Sequence, residues 1–332
     1  MKLIIRNCFD SAREFVYRNA RPLDLARWHY HFERGGPKHL LSVLGAYQNG
    51  DGGYAHALEP DSWNPNSTPI QTWAATELLR EIGFPTGTHP SIRGILRYLE
   101  SGRDFSNGLW HNTVGSNADH PHAPWWAPGE DGKGRESFNP SAALAGFLLR
   151  FAPENTKGLA LGRQVGKASY EAFMAWDFSD EMHTLRCFLR LYEYAKEAGN
   201  PLGFDLDAMK ARLFAQMDAC VTRDTALWQS GYVCLPSTFI TGRDSEFYEG
   251  FKELADAGCR HIINSQLDDG SWSVNWAWAD YPEAWAVSKN LWKGSMAVDK
   301  MLFLKRMGQL TISAPRNKGV YTNKKNLSEI DL

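Results

Sequence analysis

Apolar residues recur at helical spacing through most of the chain. One buried helix face is marked within 205–221 by apolar residues three or four positions apart: Leu206, Met209, Leu213, Met217 and Cys220. The same spacing predicts ten further helices, at 8–19, 22–34, 38–48, 69–82, 90–101, 140–151, 159–175, 180–198, 245–266 and 283–307. Strict alternation of apolar and polar residues, which is typical of strands, is nearly absent. The pattern therefore predicts an all-α fold.

Two helix starts carry their own signals. Thr68 supplies a capping hydroxyl, Pro69 follows in the first turn, and Gln71 stands three residues after the threonine. The pair Asn139-Pro140 repeats this device before the helix predicted at 140–151. Two long loops rich in Trp, His, Gly and Pro separate the helices, at 49–67 and 112–138. Long loops inside a compact domain are more often functional than idle, so these two are the candidate site.

A short turn sequence occurs twice. QNGDGGY at 48–54 returns as QLDDGSW at 266–272, each time directly after a predicted helix, and weaker copies stand at 106–110 and 224–228. A period near fifty residues fits about six helical hairpins into the chain, and that number can close a ring. Glycine permits the positive φ that ends a helix, and aspartate accepts from turn amides. We therefore interpret these turns as architectural, since each copy solves the same packing problem.

Composition and charge exclude several classes of protein. The chain is 43% hydrophobic and 22% charged, as in ordinary globular proteins, and no linker divides it. We expect one domain over 1–312 and an extended tail over 313–332. Its 36 basic and 38 acidic residues are spread evenly, which argues against nucleic acid or anionic membrane as a partner. Charges within the first 15 residues break any secretory signal, and no stretch reaches the ~18 apolar residues of a membrane span, so we expect a cytoplasmic protein.

Cysteines and aromatic residues refine this picture. The five cysteines are odd in number and widely spaced, which favours reduced, mostly buried thiols. The chain also contains 13 Trp, 12 Tyr and 17 Phe, and many of them fall in loops rather than on helix faces. Loop aromatics in this number predict an aromatic-lined cavity that binds a small molecule.

The turns at 48–54 and 266–272 resemble the Q-x-x-D-G-x-W/F turns of the terpenoid cyclase and protein prenyltransferase superfamily, the squalene-cyclase-like proteins. The segment TPIQTWAATELL at 68–79 also looks like the helix that follows such a turn in that family. The resemblance implies an α/α toroid, a closed ring of about six helical hairpins around a central cavity. It also implies an enzyme acting on an apolar or isoprenoid substrate.

The sequence departs from that family in its acidic and metal-binding motifs. It contains neither the D-x-D-D run that protonates an alkene or epoxide nor the D-D-x-x-D run that holds diphosphate-bound magnesium. Asp218 and Cys220 with the distant His261 superficially match the zinc ligands of the prenyltransferases. Residues two apart on a helix point to different sides, however, so we expect no metal and no cofactor.

The loop after the first turn holds the first candidate residues. Glu59 and Asp61 lie close together beside Trp63, and two shielded carboxyls with separated pKa values could act as acid and base. The alternative is that one of them caps a helix or pairs with Arg80 or Arg97.

The second set consists of His111 and the segment HPHAPWW at 120–126. A neutral imidazole is the best general base near pH 7, which makes His122 a third catalytic candidate. Its spacing from His120 also suits zinc, but no third ligand is adjacent. Trp125 and Trp126, flanked by prolines, are expected to stack on the substrate with His120 beside them.

A third, weaker set follows the second turn. Trp276 and Trp278 are expected to line the mouth of the cavity and contact the substrate. Asp280 is interpreted as the N-cap of the helix at 283–307, with Glu283 in the capping-box position.

Three functions remain open. The first is a terpenoid-cyclase-like enzyme whose aromatic faces stabilise carbocations. The second is a carbohydrate-active lyase or hydrolase that uses tryptophan platforms and paired carboxylates. The third is a binding protein that keeps the ring and has no activity. A dry aromatic tunnel would favour the first, a groove with paired acids the second, and a filled centre the third.

Overall fold

The computed structural model describes residues 2–310, and this part of the chain is mostly helical. All eleven predicted helices are present in it: α1 (Lys2–Asn19), α2 (Pro22–Phe32), α3 (Pro37–Gly45), α4 (Pro69–Glu81), α5 (Pro90–Glu100), α6 (Phe138–Phe151), α7 (Lys157–Ala175), α8 (Met182–Glu197), α9 (Leu206–Cys220), α10 (Tyr248–Asn264) and α11 (Pro282–Arg306). Most ends fall within a few residues of the predicted ones, and only α1 begins well before its predicted start. The tail predicted at 313–332 lies outside the described residues.

A small antiparallel sheet was not predicted. It consists of β1 (Phe105–Ser106), β2 (Leu109–Thr113) and β3 (Arg135–Glu136), in the order β1-β2-β3. The turn between β1 and β2 carries positive φ at Asn107 and Gly108, which is typical of a two-residue hairpin. The interpretation of 106–110 as a copy of the helical turn was therefore wrong. The other weak copy, at 224–228, is a short 3-10 turn capped by Asp224.

The first strong turn is fixed by its glutamine. Nε2 of Gln48 donates to the carbonyl of Gly52 at 2.9 Å and to that of Ser91, in the first turn of α5, at 3.2 Å. The carboxylate of Asp51 accepts from the backbone N–H of Gly53 at 3.0 Å. Gln48 thus closes the turn and ties it to a helix far along the chain.

The second strong turn repeats this geometry. Nε2 of Gln266 donates to the carbonyl of Gly270 at 3.0 Å and to that of Cys8, within α1, at 2.9 Å. The carboxylate of Asp269 accepts from the N–H of Ser271 at 2.9 Å. The helix that receives the second bond is here the first one of the chain, so the turn at 266–272 joins the two ends of the fold.

The predicted helix starts are confirmed only in part. Oγ1 of Thr68 accepts from the N–H of Gln71 at 3.1 Å, as the capping pattern predicts. The side-chain oxygen of Gln71 does not reach back to the threonine but accepts from the N–H of Leu58 at 3.0 Å. At α6 the backbone is non-helical at Asn139, with φ −94° and ψ 107°, so the regular helix starts at Pro140 as predicted. The side-chain cap bond, however, comes from Ser137, which accepts from the N–H of Asn139.

Helix packing brings distant parts of the chain together. Helix α6 is buried along most of its length and contacts α4, α7, α8 and β2. Helix α1 packs against α10 and α11, and α2 also contacts α11. The first and last helices of the described chain are therefore neighbours. Among the described helices, none has the length and apolar character needed to cross a membrane.

Candidate functional site

A cavity of about 730 Å³ lies between helices from all along the chain. Its wall is formed by residues of α2, α4, α8 and α11, the end of α10, and the segments 58–60, 228–244 and 272–276. Seven of the lining side chains are aromatic: Trp73, Trp228, Tyr232, Trp272, Trp276, Trp292 and Phe303. The cavity is thus aromatic-lined, as the loop aromatics predict, but most of these residues were not among the candidates.

The wall is also densely charged. Arg27, on α2, is buried and donates to Glu81 of α4 at 2.6 Å and to Asp299 of α11 at 2.5 Å. Burial alone would raise the pKa of Glu81, but the Arg27 guanidinium and a hydrogen bond from His31 hold that pKa well below its usual value. These ion pairs hold three helices together across the cavity wall.

A second ion-pair network joins α4 to α8. Glu77 accepts from Arg190 at 2.7 Å and from Arg186 at 2.8 Å, and Arg190 also donates to Glu193 at 2.6 Å. Although burial opposes it, the two arginines lower the pKa of Glu77 to about 2. Glu77 is therefore a carboxylate that its partners already neutralise, and it is a poor proton donor.

Glu59 differs from the other acids of this wall. Its side chain lines the cavity, and no side chain of the described residues pairs with it. Burial, followed by the nearby charge of Asp61, raises its pKa to about 8, and Arg21 offsets only part of this shift. The Glu59 carboxyl therefore holds its proton more tightly than an ordinary glutamate does, and it faces an open space.

Asp61 does not line the cavity. It is 2% exposed, and its carboxylate accepts from the indole N–H of Trp276 at 3.0 Å and of Trp278 at 2.8 Å. Burial raises its pKa, and these indole hydrogen bonds oppose that shift. Of the two acids expected to face the cavity, only Glu59 lines it, and Trp63 lies outside the lining.

The alternative pairings of the two acids are not found either. Arg80 donates to Glu197 at 2.8 Å, and Arg97 donates to the carbonyls of Gly50 and Asp51.

Asp280, the expected N-cap of α11, does not hold that position. Tyr281 occupies it without a side-chain cap, so this prediction was wrong.

The three candidate loops converge on one another. The carbonyl of Asp61 accepts from the N–H of Ala123 at 2.9 Å, and the ring of His122 lies 5.7 Å from that of Tyr281. Five aromatic side chains pack around Ala123 and Ala284, and we call them the aromatic cap: Trp63, Trp126, Trp278, Tyr281 and Trp285. The cap lies beside the cavity, and Trp276 links the two.

Most of the predicted substrate-binding residues belong to this cap or its surroundings. The residues outside the cavity lining are His120, His122, Trp63, Trp125, Trp126 and Trp278, whereas Trp276 lines it. The indole N–H of Trp63 donates to the hydroxyl of Ser288 at 2.9 Å, and this bond fixes the position of Trp63 in the aromatic cap. Trp125 is 43% exposed on the surface.

The superficial zinc pattern is not assembled. Asp218 pairs with Arg223, and the ring of His261 lies edge-on, 5.6 Å from that of Trp228, in the cavity wall. Cys220 lies instead beside Cys234. Within residues 2–310 no group of three or more His, Cys, Asp or Glu side chains could hold a metal ion.

Sequence reasoning missed the charged wall. On α4, Trp73, Glu77, Arg80 and Glu81 follow one another at helical spacing along the same face, and all four line the cavity. A charged stripe of this kind usually indicates a solvated face. The signal in the sequence that this face is not simply solvated is Trp73, an aromatic residue on the same stripe as the charged ones.

No family model, curated protein or solved structure matches this chain.

Proposed function

We propose that the protein is an acid–base enzyme that binds a hydroxylated, sugar-like substrate in the cavity and uses Glu59 as its proton donor. The observation that supports this proposal is the position of Glu59, a carboxyl without a side-chain partner on the wall of an aromatic-lined cavity. In this proposal the function is that of a carbohydrate-active hydrolase or lyase.

Acid strength favours a sugar over an isoprenoid. Protonating an alkene requires a strong acid, and burial beside Asp61 makes the Glu59 carboxyl a weaker one. A leaving oxygen with lone pairs is protonated best by a group whose pKa lies near the working pH. A carboxyl with a raised pKa plays this part in many glycoside hydrolases.

The charged groups of the cavity wall also favour a sugar over an isoprenoid. An isoprenoid chain would cover the ion pairs of Arg27 and Arg190 without offering hydrogen bonds in return, which is costly for charged groups. A hydroxylated ring can exchange hydrogen bonds with those groups and stack on an aromatic face. Tyr232 and Trp276, whose rings are 5.6 Å apart, form such a surface in the lining.

We also propose that the helices close into an α/α toroid around this cavity. Three observations support a closed ring: lining residues come from helices at both ends of the chain, α1 packs on α11, and Gln266 binds the backbone of Cys8. In such a ring the cavity is the central one, and the turns at 48–54 and 266–272 join neighbouring hairpins.

A substrate panel tests the proposed function. We expect the protein to convert one or more 4-nitrophenyl glycosides or oligosaccharides and to leave squalene and geranylgeranyl diphosphate unchanged. Glu59→Gln keeps the shape of the side chain but cannot donate an acidic proton, so turnover should fall by ~10²-fold or more. Glu253→Gln, on the exposed face of α10, is the matched control. Conversion of the isoprenoids alone, or full turnover by Glu59→Gln, would contradict the proposal.

A further inference from the structure

One corner of the cavity carries a lysine that forms no ion pair with any described residue. Lys300, on α11, lines the cavity with its Nζ 5.9 Å from the centre of the Trp272 ring. It forms no hydrogen bond and no ion pair with any residue in the part of the chain that the structure describes. The neighbouring Asp299 is engaged elsewhere, because Arg27 donates to it at 2.5 Å.

The lining also contains two polar side chains at the end of α10. The hydroxyl of Ser265 is buried and makes no hydrogen bond within residues 2–310. His261 lies one turn earlier, at the end of α10, and its ring contacts Trp228 edge-on. Burial and then the charge of Lys300 lower the pKa of His261, so the imidazole and the ammonium face the same space.

The other buried polar atoms of the lining that lack a partner are donors. They are the indole N–H groups of Trp73 and Trp292 and the Nε–H groups of Arg80 and Arg186. Only the Ser265 hydroxyl could also accept. A ligand that satisfies this wall must therefore present acceptors, and a buried polar atom left without a partner is costly.

Lys300 decides what kind of acceptor is required. Lys300 is half-buried, and burial lowers its pKa to about 8, because an ammonium withdrawn from water needs an opposite charge or several hydrogen bonds to compensate it. An anionic oxygen would supply both the opposite charge and a short, strong hydrogen bond. The Ser265 hydroxyl can donate a further bond to such a group.

We propose that the corner formed by Lys300, Ser265 and His261 binds an oxyanion carried by the substrate, so that the substrate is an acidic sugar. The shared chemistry is a carboxylate or a phosphate on a hydroxylated ring. That the ligand is a sugar rests on the proposed function. That this corner binds an anion rests only on the residues of the cavity wall. Glu59 and Lys300 then have separate tasks, one in proton transfer and one in binding.

Calorimetric binding to the full chain tests this site without any turnover. The probes are glucose, glucuronate, glucose 6-phosphate and inorganic phosphate, and the two acidic sugars show whether the carboxylate or the phosphate is preferred. We expect at least one of the three anionic probes to bind and glucose to bind much more weakly. Lys300→Met should weaken anion binding by about tenfold to a hundredfold, the usual value of a charge-assisted hydrogen bond.

Two variants make the result specific to the site. Lys289→Met, on an exposed position of the same helix, should bind like the wild type, and Lys300→Arg should keep part of the anion affinity. A Lys300→Met protein with an unchanged melting temperature and wild-type affinity would overturn the proposal, as would equal binding of glucose and glucuronate or binding of none of the probes.

The same measurement separates the two proposals. Glu59→Gln should bind the acidic probe while its turnover is lost. If Glu59→Gln keeps its turnover but Lys300→Met loses the anion, the anion site stands and the role of Glu59 fails.

Discussion

The indole N–H of Trp278 donates to the carboxylate of Asp61 at 2.8 Å, and 217 positions of sequence separate the two residues. The bond joins the loop after the turn at 48–54 to the loop after the turn at 266–272. A neighbouring bond from Trp276 at 3.0 Å completes the arrangement. Asp61 therefore fixes the position of Trp276, which lines the cavity, from a place outside it.

Asp61→Asn should lower stability rather than chemistry. An asparagine offers one acceptor oxygen where two indole N–H groups need one each, so the free energy of unfolding should fall by about 1–3 kcal/mol. Denaturant unfolding of Asp61→Asn measures this, with the exposed Asp268→Asn as the control. Intact stability together with a loss of turnover would show instead that Asp61 is the proton donor.

Glu59 should make stability depend on pH. Its pKa is raised from 4.5 to about 8, so the folded protein holds a proton between these values that the unfolded chain has lost. The contribution of Glu59 to stability therefore declines as the pH rises from 4.5 to 8. Glu59→Gln should have the same melting temperature as the wild type at pH 4 when the two side chains pack alike, and a higher one at pH 8.5.

The pH comparison has a clear contrary outcome. Groups that both proteins share, such as Asp61 and Arg21, affect each curve, so the difference between the two melting temperatures is the quantity to follow. A difference that stays constant from pH 4 to pH 8.5 would show that Glu59 titrates as an ordinary surface carboxyl.

Arg27 should be the most costly of the wall residues to remove. Arg27→Met leaves the Glu81 carboxylate without its guanidinium partner, and breaking a buried ion pair in this way typically costs about 3–5 kcal/mol. Thermal or denaturant unfolding gives the value. Arg163→Met, which breaks an exposed pair with Glu154, should cost no more than ~1 kcal/mol, and an equal loss in both variants would refute the structural role of Arg27.

Gln266 should stabilise the contact between the two ends of the fold. Gln266→Ala removes the donor to the carbonyls of Cys8 and Gly270, and the free energy of unfolding should fall by about 1–3 kcal/mol. Gln48→Ala should have a similar effect, because its bonds are equivalent. The exposed Gln164→Ala is the control, and a Gln266→Ala protein as stable as that control would remove this support for a closed ring.

The sequence by itself determined the local structure. Helical spacing of apolar residues located α9 and the other ten helices, because amphipathic periodicity is a property of neighbouring residues. The turns with Gln48 and Gln266 were recognisable for the same reason, since each is completed within a few positions. The sheet was missed because β1 and β3 have two residues each, too few to show alternation.

Only the tertiary structure decided which residues face the cavity. Glu59 and Asp61 are two positions apart and looked equivalent, but Asp61 is bound by indoles more than two hundred positions away. Neither Glu77 nor Lys300 was among the candidate residues, and both line the cavity because α4, α8 and α11 are brought together. Periodicity shows that a helix has two faces, whereas the distant helices that pack against it decide what each face meets, and that information is not local in the sequence.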